Sequence, residues 1–252
     1  MLNRLQVPTD VAFLIVLWRL RLKLSFRDLA EILLLRGLVF SHEAVCEWEA
    51  KLAPLFTDAL RKRRKGRIGR SWYVDETYLK VGGRWCYLYR AIDADGALVD
   101  VCLSEHRDQI AAGRFFRSVV EATGRTPDTI TTDKHAGDPP ALAEVFGDAV
   151  EHRTSKFKNN HLEQGHRGVK GRTRPMRGFQ HPDSAHRFCR AYDEVRNFLR
   201  PVTRRKQHVP VARRRAIHVQ RSRRPARHAR RRVNPAFRLE EAVLRCQSWR
   251  ET

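Results

Sequence analysis

Three carboxylates in the chain occupy positions from which they could act on one chemical group. Asp75 lies in "YVDETY", Asp133 in "TITTDKHAG" and Glu163 in "NNHLEQGHRGVKG". The sequence predicts Asp75 and Asp133 at the ends of the first and fourth strands of a sheet, and Glu163 on the helix after the fifth strand. In the fold predicted below, the first and fourth strands are neighbours, so we expect the three side chains to form one cluster.

A cluster of this kind predicts a metal site. Neighbouring carboxylates repel one another and raise one another's pKa unless a cation lies between them. Hard oxygen ligands in an open site favour Mg²⁺ or Mn²⁺. Two such ions about 4 Å apart can bind both the attacking and the leaving oxygen of a phosphodiester displacement. A single Asp at a strand end is more often a turn former or a helix cap, but three acids in this order would rarely occur by chance.

Basic residues follow Glu163 closely and are the expected contacts for nucleic-acid phosphates. His166 and Lys170 come three and seven residues after Glu163, on the same face of a helix, and Arg167 lies close beside it. Lys170 is placed to hold a phosphate near the metals, and His166 to contact substrate or to polarise a water. The full set of predicted DNA-binding residues is His166, Arg167, Lys170, Arg172 and Arg174.

The elements that must position these residues begin at Ser71. Three antiparallel strands are predicted by "SWYVDETYLKV", "RWCYLYRAID" and "ALVDVCLS", with glycine-containing reversals between them. Next come an amphipathic helix, "RDQIAAGRFFRSVVEATG", a short strand, "DTITTD", a short helix, "PPALAEVFG", a fifth strand, "AVEHR", and a helix that begins near His161. This order is typical of the ribonuclease H-like fold, an α/β fold in which helices flank a mixed five-stranded sheet.

The region before this sheet reads as helical. Leucines at helical spacing predict a first helix, Ser25 caps a second, and Ser41 opens a third that Pro54 is expected to end. Two short helices joined through Gly37 suggest a helix-turn-helix. A plain three-helix packing unit is the alternative, and the acidic residues of the third helix argue against base reading by that helix.

These patterns divide the chain into four parts. We predict a helical, helix-turn-helix-like DNA-binding domain over 1–60, a basic linker over 61–70, a ribonuclease H-like catalytic domain over 71–200 and an Arg-rich tail over 201–252. Sixteen Lys or Arg and no Asp or Glu lie between Val195 and Leu239. Such a segment is expected to be disordered or only locally helical until it binds an anion, and a solvated tail without a role is the alternative.

Charge and cysteine content restrict the partner and the compartment. A formal net charge of +22 indicates a polyanionic partner, with nucleic acid as the first choice. The longest apolar run, Val11 to Trp18, is far shorter than the roughly 20 residues that span a bilayer, so no membrane association is expected. Five scattered cysteines without a C-x-x-C pair argue against a disulfide framework or a zinc finger and fit a reducing cytoplasm.

The quoted segments resemble the DDE transposases of short, single-gene bacterial insertion sequences, the group that forms cointegrates. The resemblance runs from about Val11 to about Arg200. It implies that Asp75, Asp133 and Glu163 are the catalytic triad and metal ligands, and that Lys170 is the family's basic residue seven positions after the Glu. It also implies nicking at terminal inverted repeats and transfer of the freed 3′-hydroxyl to target DNA, both dependent on Mg²⁺ or Mn²⁺.

The same resemblance implies the assembly and its location. Because two element ends must be joined, we expect a homodimer or larger assembly on double-stranded DNA, in the bacterial cytoplasm and associated with the nucleoid.

Two features depart from the family pattern. The segment between Asp133 and Glu163 is a few residues shorter, and Gly165, Gly168 and Gly171 stand where the family prefers longer polar residues. Each glycine inside a helix costs roughly 1 kcal/mol against alanine, so we expect the helix that carries Glu163 to be weakened. The alternatives are a catalytically decayed copy that only binds DNA, and a ribonuclease H-like nuclease.

Overall fold

The computed structural model describes residues 9–133, 135–155, 160–173, 175–200, 210–217 and 219–220. Contacts divide the chain into two compact units. One contains residues up to Leu60 together with those from Val195 onward, and the other is Arg61–Glu194. Most of the predicted tail over 201–252, and with it the predicted disorder, lies outside the described residues.

Three helices form the N-terminal region, as the sequence predicts: α1 (Thr9–Arg21), α2 (Phe26–Leu34) and α3 (His42–Arg64). Ser25 caps α2 as predicted, and it forms a capping box with Asp28. The hydroxyl of Ser25 accepts a hydrogen bond from the Asp28 amide at 3.1 Å, and the Asp28 carboxylate accepts one from the Ser25 amide at 2.6 Å. These two bonds satisfy backbone donors that the helix itself leaves unpaired.

The prediction that Pro54 ends the third helix is wrong. Helix α3 contains Pro54 and continues to Arg64, so it also occupies the first residues of the stretch 61–70 predicted as a linker. A proline inside a helix removes one hydrogen bond and crowds the preceding turn, which costs about 3 kcal/mol or more. Leu52, Phe56 and Leu60 are all buried at helical spacing around it. This apolar burial offsets the cost and keeps the helix continuous.

The second unit contains one mixed sheet of five strands. They are β1 (Ser71–Val81), β2 (Arg84–Asp93), β3 (Leu98–Ser104), β4 (Thr129–Thr132) and β5 (Glu151–Thr154). Their order across the sheet is β3-β2-β1-β4-β5. Strands β1, β2 and β3 are antiparallel neighbours, whereas β4 pairs parallel to β1 and β5 parallel to β4. This arrangement is the ribonuclease H-like sheet, which confirms the predicted fold class.

Within the described residues, four α-helices accompany the sheet: α4 (Gln109–Thr123), α5 (Asp138–Phe146), α6 (Asn160–Thr173) and α7 (Pro182–Leu199). One hydrophobic core lies between the sheet and helices α4 and α5, and its largest members are Trp72, Tyr89, Phe115, Phe116 and Ile130. No separate helix was predicted over α7, although its apolar residues recur at helical spacing and Pro182 stands at its first position. None of the described helices is both long and apolar enough to cross a bilayer.

The short length of β4 decides where the candidate site lies. Strand β4 pairs with β1 only along Ser71–Tyr73 and ends at Thr132. Asp75 therefore lies inside β1 and not at its end as predicted. It does, however, lie just beyond the part of β1 that pairs with β4. Beyond this point β4 no longer covers that side of β1.

Candidate active site

Asp75 and Asp133 meet where β4 stops beside β1. Asp75 lies two residues past the last residue that pairs with β4, and Asp133 directly follows the last residue of β4. One carboxylate oxygen from each, together with one from Glu76, lie within 4.8 Å of one another. Parallel neighbouring strands thus bring the two predicted aspartates together.

Glu76 is a member of this cluster that the sequence analysis did not identify. Successive residues of a strand point to opposite faces of a sheet, so alternation alone separates Asp75 from Glu76. Beside the end of β4, however, both side chains reach the uncovered edge of β1. Glu76 is almost buried and forms an ion pair with Arg107, whose side chain is 39% exposed. The available signal was the pair of acids in "YVDETY".

Electrostatic repulsion inside the cluster is strong. Burial, followed by the negative charges of Asp133 and Glu76, raises the pKa of Asp75 to about 7. The Oδ1 atom of Asp133 is buried and has no hydrogen-bond partner among the described residues. Buried polar atoms are ordinarily paired, because an unpaired one loses its hydration without compensation. A divalent cation would relieve both features at once.

A fourth acid, Asp138, lies close to the cluster at the start of α5. Its side chain is buried, and burial together with the charges of Glu76 and Asp133 raises its pKa to about 7, although a hydrogen bond with Thr132 acts in the opposite direction. His135 approaches it, with 3.9 Å between Nδ1 of His135 and Oδ1 of Asp138. The sequence analysis did not identify Asp138 either, because a first-turn acid is commonplace in helices.

Glu163 lies at the edge of the cluster. Its charge also contributes to the raised pKa of Asp75, so it is within electrostatic reach. Its oxygens are not among those that lie within 4.8 Å of one another. The Glu163 side chain is 55% exposed, with 3.6 Å between its Oε2 and Nη2 of Arg167 one helical turn on. The structure therefore holds the two aspartates together and leaves Glu163 beside them on the first turn of α6.

Two predicted DNA contacts on α6 face the sheet. His166 is buried, and its Nδ1 lies 3.9 Å from Oδ2 of Asp75, which is too far for a direct hydrogen bond. Lys170 is exposed, and its ammonium lies 4.4 Å from the ring centre of Tyr78 on β1. The helix thus brings one imidazole and one ammonium to the strand that carries Asp75.

The other predicted DNA contacts differ from one another. Arg167 is 81% exposed, as a phosphate contact requires. The Arg172 guanidinium is used within the protein: it donates to the Gly168 carbonyl at 3.1 Å and to the Tyr192 hydroxyl at 3.3 Å, and it lies over the Tyr192 ring. Arg174 lies outside the described residues.

One glycine of α6, Gly168, has a packing role that the sequence analysis did not foresee. A Cβ atom on Gly168 would lie 2.5 Å from the hydroxyl oxygen of Tyr192, closer than real Cβ atoms come. Gly165 is also buried. Any larger residue at position 168 would have to displace Tyr192 of α7. The expected loss of helix propensity is therefore accompanied by a close approach of Gly168 to Tyr192 of α7. Helix α6 runs unbroken through all three glycines.

Fold and site together define a class of protein. Acids grouped at the end of β4 in a ribonuclease H-like sheet, next to a basic helix, form a candidate metal site for phosphodiester chemistry. Comparison with protein families narrows this class: a family model described as a DDE domain matches residues 69–201, more than half of the chain. The chain belongs to this DDE domain family.

Curated relatives agree with the family. The transposase for insertion sequence-like element IS431mec of Staphylococcus aureus is 38% identical over 172 residues, which cover 66% of this chain and 75% of that protein. The transposase for insertion sequence element IS257 in transposon Tn4003, also of S. aureus, matches with the same identity and coverage. The protein is thus a DNA transposase of an insertion sequence and a polynucleotidyl transferase, and neither the DNA-binding-only nor the nuclease alternative is favoured.

Solved structures give a weaker likeness. The catalytic core domain of HTLV-2 integrase in complex with magnesium, in its dimeric form, shares 15% identity and a TM-score of 0.41, over 61% of this chain and 99% of that one. A simian T-cell lymphotropic virus intasome in complex with a PP2A regulatory subunit shares 13% identity and the same TM-score. Likeness at this level is too low to support an argument, so the fold assignment rests on the order and direction of the strands.

Proposed function

We propose that Asp75, Asp133 and Glu163 form the metal-binding catalytic site with which this transposase nicks the ends of its element and joins them to target DNA. The observation that carries the proposal is the juxtaposition of Asp75 and Asp133 at the end of β4, with a buried Asp133 oxygen that has no hydrogen-bond partner among the described residues. An acid pair of this kind is unfavourable without a cation.

The donor atoms fit Mg²⁺ or Mn²⁺, because all of them are carboxylate oxygens. Asp75 and Asp133 would hold the cations from the sheet, and Glu163 from helix α6. Two bound divalent ions supply activation of the attacking oxygen and stabilisation of the leaving oxygen. Glu76 is the competing candidate for the third carboxylate, since its oxygen already lies within the group while that of Glu163 does not.

The side chains around the proposed site affect how it would bind the cations and the DNA. Asp75 has a pKa of about 7, so near neutral pH a fraction of it carries a proton that must leave before a cation binds. Glu163 is more than half exposed on the first turn of a helix, so its side chain is free to turn from Arg167 towards Asp75. Arg167 and Lys170, both exposed, would then neutralise DNA phosphates beside the cations.

Double-stranded DNA is the proposed substrate at both steps, as element ends and as target. The net charge of +22 supports a polyanionic partner and, with it, association with the nucleoid. The helical region over 1–60 is proposed to bind the terminal inverted repeats, the region over 71–200 to catalyse, and the basic tail over 201–252 to add phosphate contacts. Because two ends are joined in one reaction, we infer a homodimer or larger assembly.

The test is cleavage of a labelled duplex that contains the element's end, in Mg²⁺. Asp75→Asn, Asp133→Asn and Glu163→Gln should each lower the nicking rate by roughly a thousandfold or more, while end binding stays nearly intact. Each change removes a charge that holds a cation but no phosphate contact. The matched control is Glu144→Gln, an exposed acid on α5 whose partner is Arg117, which should leave nicking unchanged.

Glu76→Gln separates the two candidates for the third carboxylate. If Glu76→Gln abolishes nicking while Glu163→Gln keeps more than about a tenth of the wild-type rate, Glu76 takes the place of Glu163. Retention of nicking by both Asp75→Asn and Asp133→Asn would contradict the proposed site altogether.

A further inference from the structure

Two aromatic side chains lie exposed next to each other on the β1–β2 hairpin. Tyr78 is 56% exposed and Trp85 is 57% exposed. Among the described residues, these are the aromatic side chains in the exposed class, since every other described Phe, Tyr or Trp is buried or half-buried. Their ring centres are 5.2 Å apart with the planes nearly perpendicular. Two exposed rings side by side offer flat apolar surface on which a planar ligand can stack.

Each ring is accompanied by a lysine. The Lys170 ammonium lies 4.4 Å from the centre of the Tyr78 ring, and the Lys80 ammonium lies 6.0 Å from the centre of the Trp85 ring. Both lysines are exposed. We call these four residues, Tyr78, Lys80, Trp85 and Lys170, the aromatic-lysine patch. Flat rings next to ammonium groups present stacking surfaces and positive charge together.

The patch stands on a firmly held part of the sheet. The β1–β2 register pairs Lys80 with Trp85, so these two side chains share one face of the hairpin. The turn between β1 and β2 is anchored, because the Gly82 amide donates a hydrogen bond to the Phe179 carbonyl at 2.8 Å. A Cβ on Gly82 would lie 2.7 Å from the Gln180 carbonyl oxygen, so this contact is closely fitted. The backbone of the hairpin that carries both rings is therefore held at its turn.

We propose that the aromatic-lysine patch stacks a base at a DNA end, with Lys80 and Lys170 neutralising the adjoining phosphates. Base stacking on aromatic rings and phosphate neutralisation by lysine are the two components of single-strand recognition. A base inside a duplex already has both faces covered by its neighbours. The partner must therefore be an unpaired or terminal base.

The position of the patch fits this ligand. Tyr78 follows Glu76 by two residues on the same face of β1, and Lys170 stands on α6 with Glu163. A base stacked there would be close to the strand that carries the acid cluster. The inference rests on the proposed function for its choice of DNA as ligand, but not on Asp75, Asp133 or Glu163 as catalytic residues.

The experiment uses the full-length protein in EDTA, where metal-dependent nicking cannot occur. The probe is a duplex oligonucleotide with a short single-stranded overhang that carries 2-aminopurine, compared with a covalently closed circular duplex, which has neither ends nor unpaired bases. Wild-type protein should quench the 2-aminopurine fluorescence. Trp85→Ala or Tyr78→Ala should abolish the quenching and weaken overhang binding about 5- to 100-fold, while the closed duplex binds as before.

Two further variants keep the outcome interpretable. Trp85→Phe keeps an aromatic ring and should retain much of the quenching, and Ile110→Ala removes a 63% exposed side chain elsewhere in the same unit and should change nothing. Circular dichroism shows which variants fold.

The proposal is overturned if Trp85→Ala and Tyr78→Ala quench and bind like wild type, or if overhang and closed duplex weaken equally. Loss of a dimer in sedimentation without loss of quenching would also overturn it, since the patch would then be an interface between copies of the chain. Because nicking is not measured, failure here leaves the proposed catalytic site untouched, and failure of the catalytic variants leaves this result untouched.

Discussion

Two groups of acids lie in the same unit, Arg61–Glu194, and they differ in the charges around them. The acids of one group lie beside other acids, and those of the other group are paired with arginines. The first is the candidate active site, in which Asp75, Glu76 and Asp133 lie together. The second consists of Asp100, Asp193 and Glu194, which are buried, with exposures of 1%, 3% and 3%. Each of these three bonds to an arginine: Asp100 to Arg61 at 2.9 Å, Asp193 to Arg90 at 2.5 Å and Glu194 to Arg64 at 2.7 Å.

Burial alone does not distinguish the two groups. It raises the pKa of Asp100 and of Glu194, just as it raises that of Asp75. The difference lies in the nearest charges. Arg61 and Arg64 oppose the effect of burial at Asp100 and Glu194, whereas Asp133 and Glu76 add to it at Asp75. Buried acids that repel one another, and not buried acids as such, point to a cation site.

Arg90 shows how closely the two groups approach. In the β1–β2 register it stands directly opposite Asp75, so the two side chains share a face of the sheet. Yet its guanidinium bonds to Asp193 of α7, through Nη2 at 2.5 Å and Nε at 3.2 Å. The arginine nearest in register to Asp75 is thus occupied elsewhere, and this leaves the Asp75 carboxylate available for a cation.

The largest loss in the free energy of unfolding should come from removing an acid that is paired with a buried arginine. Asp193→Ala leaves the Arg90 guanidinium buried without its carboxylate, so the free energy of unfolding should fall by about 3–5 kcal/mol. Asp75→Asn in the other group should leave the free energy of unfolding in EDTA unchanged or higher, because it removes repulsion. Urea denaturation measures both. The control is Glu144→Ala, an exposed partner of Arg117, which should cost less than about 1 kcal/mol.

If Asp193→Ala costs no more than Glu144→Ala, the arginine pairs are not what holds this group. If Asp75→Asn proves as destabilising as Asp193→Ala, the acid cluster is a structural feature of the fold and the contrast between the two groups fails.

A smaller effect should appear in the pH dependence of stability without metal. Asp75 binds its proton more tightly in the folded protein than in the unfolded chain, with a pKa of about 7 against the ordinary 3.8. The contribution of protonated Asp75 to the free energy of unfolding is therefore fully present below about pH 4 and is lost as pH rises towards 7. Because the site is partly exposed, we expect a loss on the order of 2 kcal/mol over this interval.

The measurement is urea denaturation in EDTA at several pH values, for wild type and Asp75→Asn. The difference between the two curves isolates Asp75 from all other titrating groups. Asp75→Asn should be the relatively more stable protein near pH 7, and the two should converge near pH 4. Parallel curves would show that the acid cluster does not repel. Saturating Mg²⁺ should reverse the sign of the stability difference near pH 7, because a bound cation favours the ionised wild-type carboxylate.

Of this contrast, the pairing of Asp75 with Asp133 could be predicted from the sequence because it depends on local patterns, whereas the buried group of Asp100, Asp193 and Glu194 could not. Alternating apolar residues predicted the strands, and their order predicted that the strands of Asp75 and Asp133 are neighbours. Glu76 escaped prediction because strand alternation places it on the face opposite to Asp75. Only the short pairing of β4 with β1, along Ser71–Tyr73, brings both acids to one edge. Register of this kind is set by tertiary packing.

Tertiary packing also determines the surroundings of Arg172 and the length of α3. Arg172 has the spacing of a DNA contact on α6, but the position of Tyr192 on α7 gives it an internal partner. Pro54 has the local chemistry of a helix end, but buried leucine and phenylalanine on both sides keep α3 continuous. Local spacing and propensity do not determine which helix packs on which, so they could not predict the internal contacts of Arg172 or the continuation of α3 past Pro54.

Gly168 offers the finest test of propensity against packing, and the smallest expected effect. By helix propensity, Gly168→Ala should stabilise α6 by about 1 kcal/mol. In the structure, the new Cβ would lie 2.5 Å from the Tyr192 hydroxyl oxygen. Tyr192 is buried, stacked on Phe188 with ring centres 6.1 Å apart and covered by the Arg172 guanidinium, so it has little room to move. Overpacking of this kind typically costs 1–3 kcal/mol, so we expect a net loss of about 1 kcal/mol in the free energy of unfolding.

Tyr192→Phe provides the matched background for this test, because it removes the one atom that the new Cβ would meet most closely. Arg172 keeps the Gly168 carbonyl as an acceptor at 3.1 Å in that variant. Gly168→Ala should therefore be destabilising in the wild type and neutral or stabilising beside Tyr192→Phe, and the double-mutant cycle should give a coupling of about 1 kcal/mol or more. A gain of stability from Gly168→Ala in the wild type would instead show that α6 is limited by its glycines. In that case the helix that carries Glu163 is marginal, as its composition suggests, and its packing against Tyr192 does not compensate.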